Sequence, residues 1–203
     1  MGHICSDLIT SLDGVAQAPG GPEEDEEDGF AFGGWQAPLI DEVVGEQVLS
    51  GMSRMDALLL GRKTYDIFAG YWPEQQGEIA DLFNRIPKYV ATRQNLPLPW
   101  ADSAPLGSNT GAAVQDLRRR HERIHVIGSL NFVQTLLAEQ LFDQLTLWVH
   151  PILLGPGKRV FADGAVPTNL QLLEPAVTSP RGVVRLRYEL VGGVPATGDM
   201  SAQ

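Results

Sequence analysis

The clearest hydrophobic pattern in the chain begins at Ala57. Ala57–Leu60 is a short and uniformly apolar run, which is typical of a strand buried on both faces of a parallel sheet. Gly61 follows this run, then the polar residues Arg62–Thr64, and apolar residues return at helical spacing within Tyr65–Ala69. The pattern therefore predicts a strand, a glycine turn and the start of a helix.

Other segments show strand or helix periodicity. The predicted strands are His3–Ile9, Pro87–Thr92, Ile124–Ile127 and Asp143–Leu154, with a weak one inside Gln94–Ser108. The predicted helices are Pro38–Met55, Gly77–Arg85, Gly111–Arg123 with Thr110 as its cap, and Leu130–Gln140. Leu170–Thr178 and Val183–Val191 alternate, and we predict that they pair as an antiparallel hairpin around Pro180-Arg181-Gly182.

In this order, strand–helix units come first and antiparallel strands come last. The order predicts an α/β fold of three layers, in which helices cover both faces of a mixed, mostly parallel sheet and the final strands run antiparallel at its edge. A chain of 203 residues fits one domain. We place that domain at residues 1–191, and we predict a flexible tail at residues 192–203, which carry few apolar side chains.

One long segment, at about residues 17–35, has no periodicity and contains the acidic block Glu23–Asp28. Loops longer than about 12–15 residues in compact domains are usually functional lids or disordered segments. The aromatic residues Phe30, Phe32 and Trp35 predict that this loop is anchored at its far end. We interpret the acidic block as a solvated lid that repels anions.

Composition limits the choice of partners. The net charge of -10 argues against non-specific binding to nucleic acid or to anionic membranes. Cys5 is the only cysteine, which excludes an intrachain disulfide and fits a reducing cytoplasm. No apolar run approaches the roughly 20 residues of a membrane span. The 4 histidines lack metal-ligand spacing, so no metal site is predicted.

Two strand–glycine–helix junctions carry the first candidate chemistry. The free N–H groups and the dipole of a helix N-terminus attract anions, and Arg62 and Lys63 add positive charge at the first junction. At the second junction, Gly128 and Ser129 separate a strand from a helix. Two such junctions at one sheet edge are what a nucleotide-binding α/β sheet requires. Taken alone, the first junction fits a phosphate site and a turn with solvated basic residues equally well.

Five short motifs follow one another along the chain. They are Ser11-Leu12-Asp13-Gly14, Leu60-Gly61-Arg62-Lys63-Thr64-Tyr65, Pro87-Lys88-Tyr89-Val90 leading to Thr92, Val126-Ile127-Gly128-Ser129, and the segment from Pro151 to Phe161. With these motifs, the chain from Ile4 to about Leu190 resembles the dihydrofolate-reductase-like family. That family includes the C-terminal reductase domain of the bifunctional riboflavin-biosynthesis deaminase–reductase.

The resemblance implies a three-layer dihydrofolate-reductase-like fold and NADPH as the cofactor. It assigns Arg62 to the 2′-phosphate, and the glycine corners to the other phosphates. Ser129 departs from the two glycines that many relatives carry there, although its side chain is small. The cofactor-binding residues that it implies are Gly61, Arg62, Lys63 and Thr64 for the phosphates, Gly128 and Ser129 for the pyrophosphate, and Thr92 and Arg93 for the adenosine end.

The resemblance also places the nicotinamide over the end of the first strand. Candidate substrate-lining residues are Ile9, Ser11, Gly14 and Trp72, the last of which fits the aromatic core as well. Lys158 and Arg159 follow a glycine turn near this edge and fit either an anionic substrate or a solvated hairpin.

Hydride transfer to an imine or enone also needs a proton, and two carboxylates are candidates for substrate chemistry. Asp13 either binds and polarises the substrate or holds an Asp-Gly turn. Asp41 follows Trp35 and Pro38 as in dihydrofolate reductases, but it falls one residue late, which turns it by about 100° around a helix. We therefore expect a solvated first-turn acid at Asp41 and no pterin reduction.

Three functions follow from these observations. The first is an NADPH-dependent reductase of a small heterocyclic, carbonyl or imine compound. The second is a stand-alone riboflavin-pathway pyrimidine reductase, since the chain has no His-x-Glu and Cys-x-x-Cys of a zinc deaminase. The third is a dinucleotide-binding or dimeric scaffold protein without turnover. The resemblance implies a homodimer, and Leu145–Leu154 is either its interface or the centre of the sheet.

Overall fold

A computed structural model describes residues 1–161 and 166–200 of the chain. The strands are β1 His3–Ser11, β2 Ala57–Gly61, β3 Lys88–Ala91, β4 Ser103–Pro105, β5 Arg123–Val126, β6 Gln144–His150, β7 Leu170–Leu172, β8 Val177–Thr178 and β9 Val184–Leu190. The helices are α1 Glu42–Met52, α2 Arg62–Tyr71, α3 Glu78–Arg85, α4 Thr110–Arg120 and α5 Leu130–Ala138, with short 3-10 helices at Glu27–Gly29, Ala37–Leu39 and Trp72–Glu74.

The nine strands of the described residues form one sheet in the order β4-β3-β2-β5-β1-β6-β9-β7, with β8 paired to β9. Strands β1 to β6 run parallel, whereas β9 runs antiparallel to β6 and pairs with both β7 and β8. The mixed, mostly parallel sheet with antiparallel C-terminal strands is confirmed. The C-terminal hairpin is more divided than predicted, because the segment before β9 splits into two short strands that pair with different parts of it.

Helices cover both faces of the sheet, as the three-layer prediction requires. On one face, α4 and α5 bury Val114, Leu117 and Leu136 against Ile4 and Ile124. On the other face, α2 and α3 pack on β2 and β3 through Tyr65, Phe83, Leu58, Leu60 and Val90. Helix α1 packs on Trp148 of β6 and on Val183, just before β9. The uniformly apolar β2 is buried along its whole length, because helices cover it from both sides.

Two helices begin at residues other than those expected. Helix α1 starts at Glu42, because the Asp41 side chain accepts a hydrogen bond from the backbone N–H of Val44 at 3.0 Å and caps the helix. Asp41 is therefore an N-cap residue, not a first-turn acid. Helix α4 is capped by Asn109, which bonds the N–H of Ala112, so Thr110 is the first helical residue.

The strand predicted at Asp143–Leu154 is shorter in the structure and lies inside the sheet. Strand β6 ends at His150, followed by Pro151, and pairs with β1 on one side and β9 on the other. This position agrees with the second alternative, the centre of the sheet. None of the helices in the described residues is long and apolar enough to cross a bilayer. The last residues of the predicted tail, 201–203, lie outside the described part of the chain.

Candidate functional site

The predicted site residues follow the ends of four adjacent parallel strands. At the carboxyl edge of the sheet, Thr92 and Arg93 follow β3, Gly61 ends β2, Gly128 lies two residues after β5, and Ser11 ends β1. Neighbouring strands are about 4.8 Å apart, so β3 and β1 are separated by roughly 14 Å along this edge. For one dinucleotide laid across this edge, the resemblance implies the order adenosine, phosphate and nicotinamide.

The two glycine junctions contact each other directly. An added Cβ atom at Gly61 would lie 1.8 Å from Oγ of Ser129 and 3.1 Å from Cβ of Phe132. An added Cβ at Gly128 would lie 2.9 Å from Oγ1 of Thr64, and Gly128 has a φ of +65°. Each junction therefore requires glycine because the other junction occupies the adjoining space. The Gly128–Ser129 peptide bond is cis.

Helices α2 and α5 begin at this contact with their N-terminal backbone groups free of side-chain caps. Neither Gly61 nor Ser129 provides a capping hydrogen bond. Two uncapped helix N-termini on adjacent strands combine free N–H donors with two positive dipole ends. This arrangement can bind a phosphate group.

Arg62 provides a positive charge beside the N-terminus of α2. Its Nε donates to both carboxylate oxygens of Asp66, at 2.9 Å and 2.8 Å, and this pair raises the pKa of the guanidinium. Its Nη1 is buried and has no hydrogen-bond partner among the described residues. Because buried polar groups normally have a partner, this nitrogen has the donor capacity to bind an additional anion.

Lys63 forms ion pairs with the acidic loop. Its Nζ lies 2.7 Å from Oδ1 of Asp25 and 2.7 Å from Oε2 of Glu27, and Lys158 binds the same two carboxylates. Burial alone would lower the pKa of Lys63, but the bonds to Asp25 and Glu27 raise it above its ordinary value. Part of the acidic block is therefore neutralised at the site, whereas the sequence predicted that it is solvated.

The acidic loop is held on the sheet edge by buried groups. The side-chain nitrogen of Gln17 donates to the backbone carbonyls of Asp25 and Glu27. The backbone carbonyl of Gln17 accepts a hydrogen bond from Nε1 of Trp35 at 2.8 Å. Phe30 and Trp35 are buried with Val15, which confirms the anchor at the far end of the loop, although Phe32 is 47% exposed.

Asp13 has the bonding pattern of a residue that holds a turn. Its carboxylate accepts from Oγ of Ser11 at 2.6 Å and from the backbone N–H groups of Gly155 and Leu154 at 2.8 Å and 3.2 Å. The Ser11 hydroxyl and these N–H groups lower the pKa of Asp13 to about 2. At neutral pH the carboxylate is ionised and its lone pairs are engaged, so it cannot donate a proton. Of the two alternatives, the geometry favours the turn.

Asp41 is also engaged in structural bonds. Besides capping α1, its carboxylate accepts from the backbone N–H of Arg181 at 3.1 Å, and Arg181 in turn bonds the carbonyl of Pro38. The bond from Val44 is the main reason that the pKa of Asp41 is lowered. Asp41 therefore joins α1 to the turn before β9.

The residues predicted to line the substrate divide into two groups. Ser11 and Gly14 lie at the end of β1, where the Ser11 hydroxyl accepts from the N–H of Val15, and Ile9 faces α1 on the same strand. Trp72 instead packs among Phe68 and other aromatic residues of the core, at a ring distance of 6.0 Å from Phe68. Of the two roles predicted for Trp72, the structure favours a place in the aromatic core over one in the substrate lining.

Asp7 and His125 were not recognised in the sequence as candidate residues. They lie on the adjacent strands β1 and β5, and Nδ1 of His125 is 2.5 Å from Oδ2 of Asp7. The available signal was an aspartate and a histidine inside two predicted strands. The described residues contain no cluster of three or more histidine, cysteine or carboxylate side chains that could hold a metal ion.

Comparison with known families gives one match that spans most of the chain. The sequence profile described as the RibD C-terminal domain matches residues 2–184. Among curated proteins, an uncharacterized protein YyaP of Bacillus subtilis (strain 168) is 26% identical over 196 residues, which are 94% of this chain and 96% of that protein.

Solved structures share the fold at low sequence identity. A putative riboflavin biosynthesis protein from Shewanella sp. PV-4 has a TM-score of 0.66 and 19% identity, with 93% of this chain and 98% of that chain covered. A pyrimidine reductase-like protein from Corynebacterium diphtheriae has a TM-score of 0.65 and 17% identity, with 95% and 93% covered. RibD of Acinetobacter baumannii has a TM-score of 0.62 and 14% identity, with 94% of this chain but 58% of that chain covered.

Proposed function

Because the chain belongs to the RibD C-terminal domain family, we propose that it is an NADPH-dependent reductase that transfers a hydride to a small heterocyclic, carbonyl or imine compound. The observation that carries this proposal is the direct contact between the junctions at Gly61 and Gly128. Two uncapped helix N-termini meet there, on adjacent strands, with Arg62 beside them. A pyrophosphate needs this combination of close backbone approach, free N–H groups and positive charge.

The residues at this edge fit the parts of the cofactor in order. Arg62 is assigned to the 2′-phosphate, because Nη1 lacks a partner among the described residues. Thr64 and Ser129 provide hydroxyl groups beside the two helix N-termini. When bound, the reduced nicotinamide supplies the hydride. At the end of β1, Ser11 is buried and Ile9 is partly buried, and we expect both residues to keep water from the nicotinamide.

The first test is titration of the protein with NADPH and NADH by calorimetry, followed by absorbance assays of NADPH oxidation with a panel of carbonyl and imine compounds. We expect saturable NADPH binding and oxidation with at least one compound. A protein that binds neither dinucleotide contradicts the proposal. Binding of NADPH without oxidation across a broad panel favours the scaffold alternative.

Replacement of Arg62 by Ala tests the assignment of the 2′-phosphate. A charge-assisted hydrogen bond contributes about 1.5–3 kcal/mol, so Arg62→Ala should weaken NADPH binding by roughly 10- to 100-fold. NADH lacks the 2′-phosphate, and its dissociation constant should change little. Arg85→Ala, at the exposed end of α3, is the control for loss of one surface charge. An equal loss of affinity for both dinucleotides contradicts the assignment of Arg62 to the 2′-phosphate.

A stand-alone pyrimidine reductase of the riboflavin type is the second candidate. The family match favours it, and one protein with the same fold is a diaminohydroxyphosphoribosylaminopyrimidine deaminase/5-amino-6-(5-phosphoribosylamino)uracil reductase from Thermotoga maritima. Reduction of that compound by NADPH would establish this candidate. The acidic residues Glu23, Glu26 and Asp28 remain exposed at the loop and favour neutral or cationic substrates instead. A preference for phosphorylated compounds in the panel contradicts this charge argument.

We further propose a cytoplasmic homodimer. The single buried Cys5 suits a reducing compartment. The dimer proposal draws on the partly exposed leucines Leu170 and Leu172 of β7.

A further inference from the structure

Two lysines from distant parts of the chain meet at the same two carboxylates of the acidic loop. Nζ of Lys63 lies 2.7 Å from Oδ1 of Asp25, and Nζ of Lys158 lies 2.8 Å from Oδ2 of the same side chain. Both nitrogens also contact Oε2 of Glu27, at 2.7 Å and 2.5 Å, so the two nitrogens are within about 5 Å of each other. Ammonium groups at this separation repel each other unless an anion lies between them.

The order of the strands determines where this group of charges lies. Lys63 is the second residue of α2, which follows β2, whereas Lys158 belongs to the turn after β6. In the sheet, β5 and β1 lie between those two strands. The bridge from one lysine through the carboxylates to the other therefore crosses the carboxyl ends of β5 and β1. The resemblance places the pyrophosphate and the nicotinamide at these two strand ends.

The backbone that carries Lys158 is fixed at the substrate end of this edge. The carbonyl of Lys158 accepts a hydrogen bond from the N–H of Ala16 at 2.8 Å. The N–H of Val160 donates to the carbonyl of Gly14 at 2.9 Å, and Gly14 is one of the predicted substrate-lining residues. An anion bound by Lys158 would therefore lie next to the proposed substrate.

A buried glutamine holds both halves of the group in place. Gln17 is 3% exposed, and its side-chain oxygen accepts from the backbone N–H of Lys158 at 3.0 Å. Its side-chain nitrogen donates to the backbone carbonyls of Asp25 and Glu27, at 3.1 Å and 3.0 Å. One amide thus fixes both the loop that carries the carboxylates and the turn that carries Lys158. The charges meet because the fold brings these backbones together, and not through a chance contact of long side chains.

Stabilisation alone does not account for this arrangement. Ion pairs near a protein surface contribute little to stability, and ordering two lysine side chains costs conformational entropy. Convergent ammonium groups are, however, what a doubly charged anion such as phosphate requires. The carboxylates of Asp25 and Glu27 take the positions that phosphate oxygens would occupy between the two lysines.

We propose that Lys63 and Lys158 form an anion subsite beside the substrate, and that Asp25 and Glu27 occupy this subsite in place of a ligand. The loop thereby excludes substrates that carry a phosphate group at this position. The subsite itself stands on the ion pairs. Its consequence for the choice of substrate rests on the proposed reductase function.

The remaining charges of the loop add to this exclusion. Asp25 and Glu27 match the two lysine charges, and Glu23, Glu26 and Asp28 leave an excess of negative charge on the same loop. All three of these residues are exposed, so they meet an approaching anion first. The lysines are therefore both paired and screened from anions in the wild-type protein.

Neutral replacement of the two carboxylates should uncover the subsite. Asn and Gln keep the size and one acceptor oxygen of the original side chains, so Asp25→Asn with Glu27→Gln should fold with a melting temperature close to that of the wild type. We expect inorganic phosphate to bind this double variant about tenfold more tightly than the wild type in phosphorus NMR titrations at low salt, because two ammonium groups become free to bind it.

Lys158→Met separates the subsite from the glycine junctions, which also fit a phosphate. Lys158 follows β6, two strands from the junction at Gly128, or roughly 10 Å along the edge. Added to the double variant, Lys158→Met should abolish the gain in phosphate affinity, whereas binding at the junctions should persist. The matched control is Glu23→Gln with Glu26→Gln, which removes the same formal charge from the loop and should leave phosphate binding close to that of the wild type.

Two results would overturn the subsite: equal phosphate affinity in the wild type and the double variant, or a gain that survives Lys158→Met. If Lys158→Met weakens phosphate binding in an otherwise wild-type chain, the loop gives way to a ligand and the proposed exclusion is wrong. Because no measurement requires turnover, these tests decide the subsite even if the wild type fails to bind NADPH, a result that contradicts the reductase function alone.

Glu27→Gln alone covers the case in which the double variant does not fold. The Glu27 side chain is 56% exposed, so its replacement should leave the core intact. It removes one carboxylate bond from each lysine and should raise phosphate affinity by about two- to threefold. An unchanged affinity in this folded variant overturns the proposal.

Discussion

Single residues at the two junctions are constrained by one another. Gly61 and Gly128 are both required because Ser129 and Thr64 occupy the space that a Cβ atom would need. Gly61→Ala places a methyl group against Ser129, and overpacking of this kind costs about 1–3 kcal/mol. We expect a matching loss of unfolding free energy in urea denaturation, together with weaker NADPH binding.

Gly70 in the same helix is the control for Gly61. An added Cβ at Gly70 meets nothing within 4 Å, so Gly70→Ala should stabilise α2 by about 0.5–1 kcal/mol through helix propensity. Opposite signs for the two variants attribute the cost at Gly61 to the junction contact. A neutral Gly61→Ala variant contradicts that contact.

At the scale of elements, the acidic loop competes with an incoming phosphate for Lys63. Asp25 and Glu27 pair with Lys63 of α2 and with Lys158 of the turn after β6. The double variant Asp25→Asn with Glu27→Gln frees both lysines. Ion pairs near the protein surface contribute about 0.2–1 kcal/mol, so NADPH affinity should rise by up to about fivefold in calorimetry at low salt.

The control removes the same formal charge from the same loop. Glu23 and Glu26 are exposed, and Glu23→Gln with Glu26→Gln leaves both lysines paired. Should both double variants raise the affinity equally, net charge explains the result and Lys63 does not contact the cofactor. High salt should reduce either effect.

At the scale of the whole molecule, the C-terminal strands present an apolar surface on the side of α4 and α5. Leu170 and Leu172 of β7 pair with Leu190 and Tyr188 of β9, and the two β7 leucines are 38% and 45% exposed. Aliphatic side chains grouped on one sheet face are typical of an interface between subunits. We expect a second copy of the chain to cover this surface.

Leu172→Glu tests that dimer, because it places a charge at the centre of the apolar surface. Analytical ultracentrifugation should show a dimer for the wild type and a monomer for the variant, with nearly unchanged melting. Gln171→Glu, on the other face of the same strand, should remain dimeric. A monomeric wild-type protein rejects the homodimer proposal.

Local patterns predicted most of the fold, and the errors occurred where a single side chain determined a boundary. The buried run of β2 and the alternation of β9 need only their own side chains to be recognised. The start of α1 depends on a cap that Asp41 makes in competition with ordinary helix propensity. The two-part pairing of β7 and β8 with β9 depends on contacts that no local pattern encodes.

Periodicity and the backbone freedom of glycine are enough to predict the parallel sheet, its layers, and the two glycine junctions with their helix N-termini. Which side chains meet depends on how the strands assemble. Inserting β5 between β2 and β1 brings Gly61 against Ser129 and His125 against Asp7. Those contacts join residues far apart in the chain, and strand order, which is fixed only when the sheet assembles, is their physical cause.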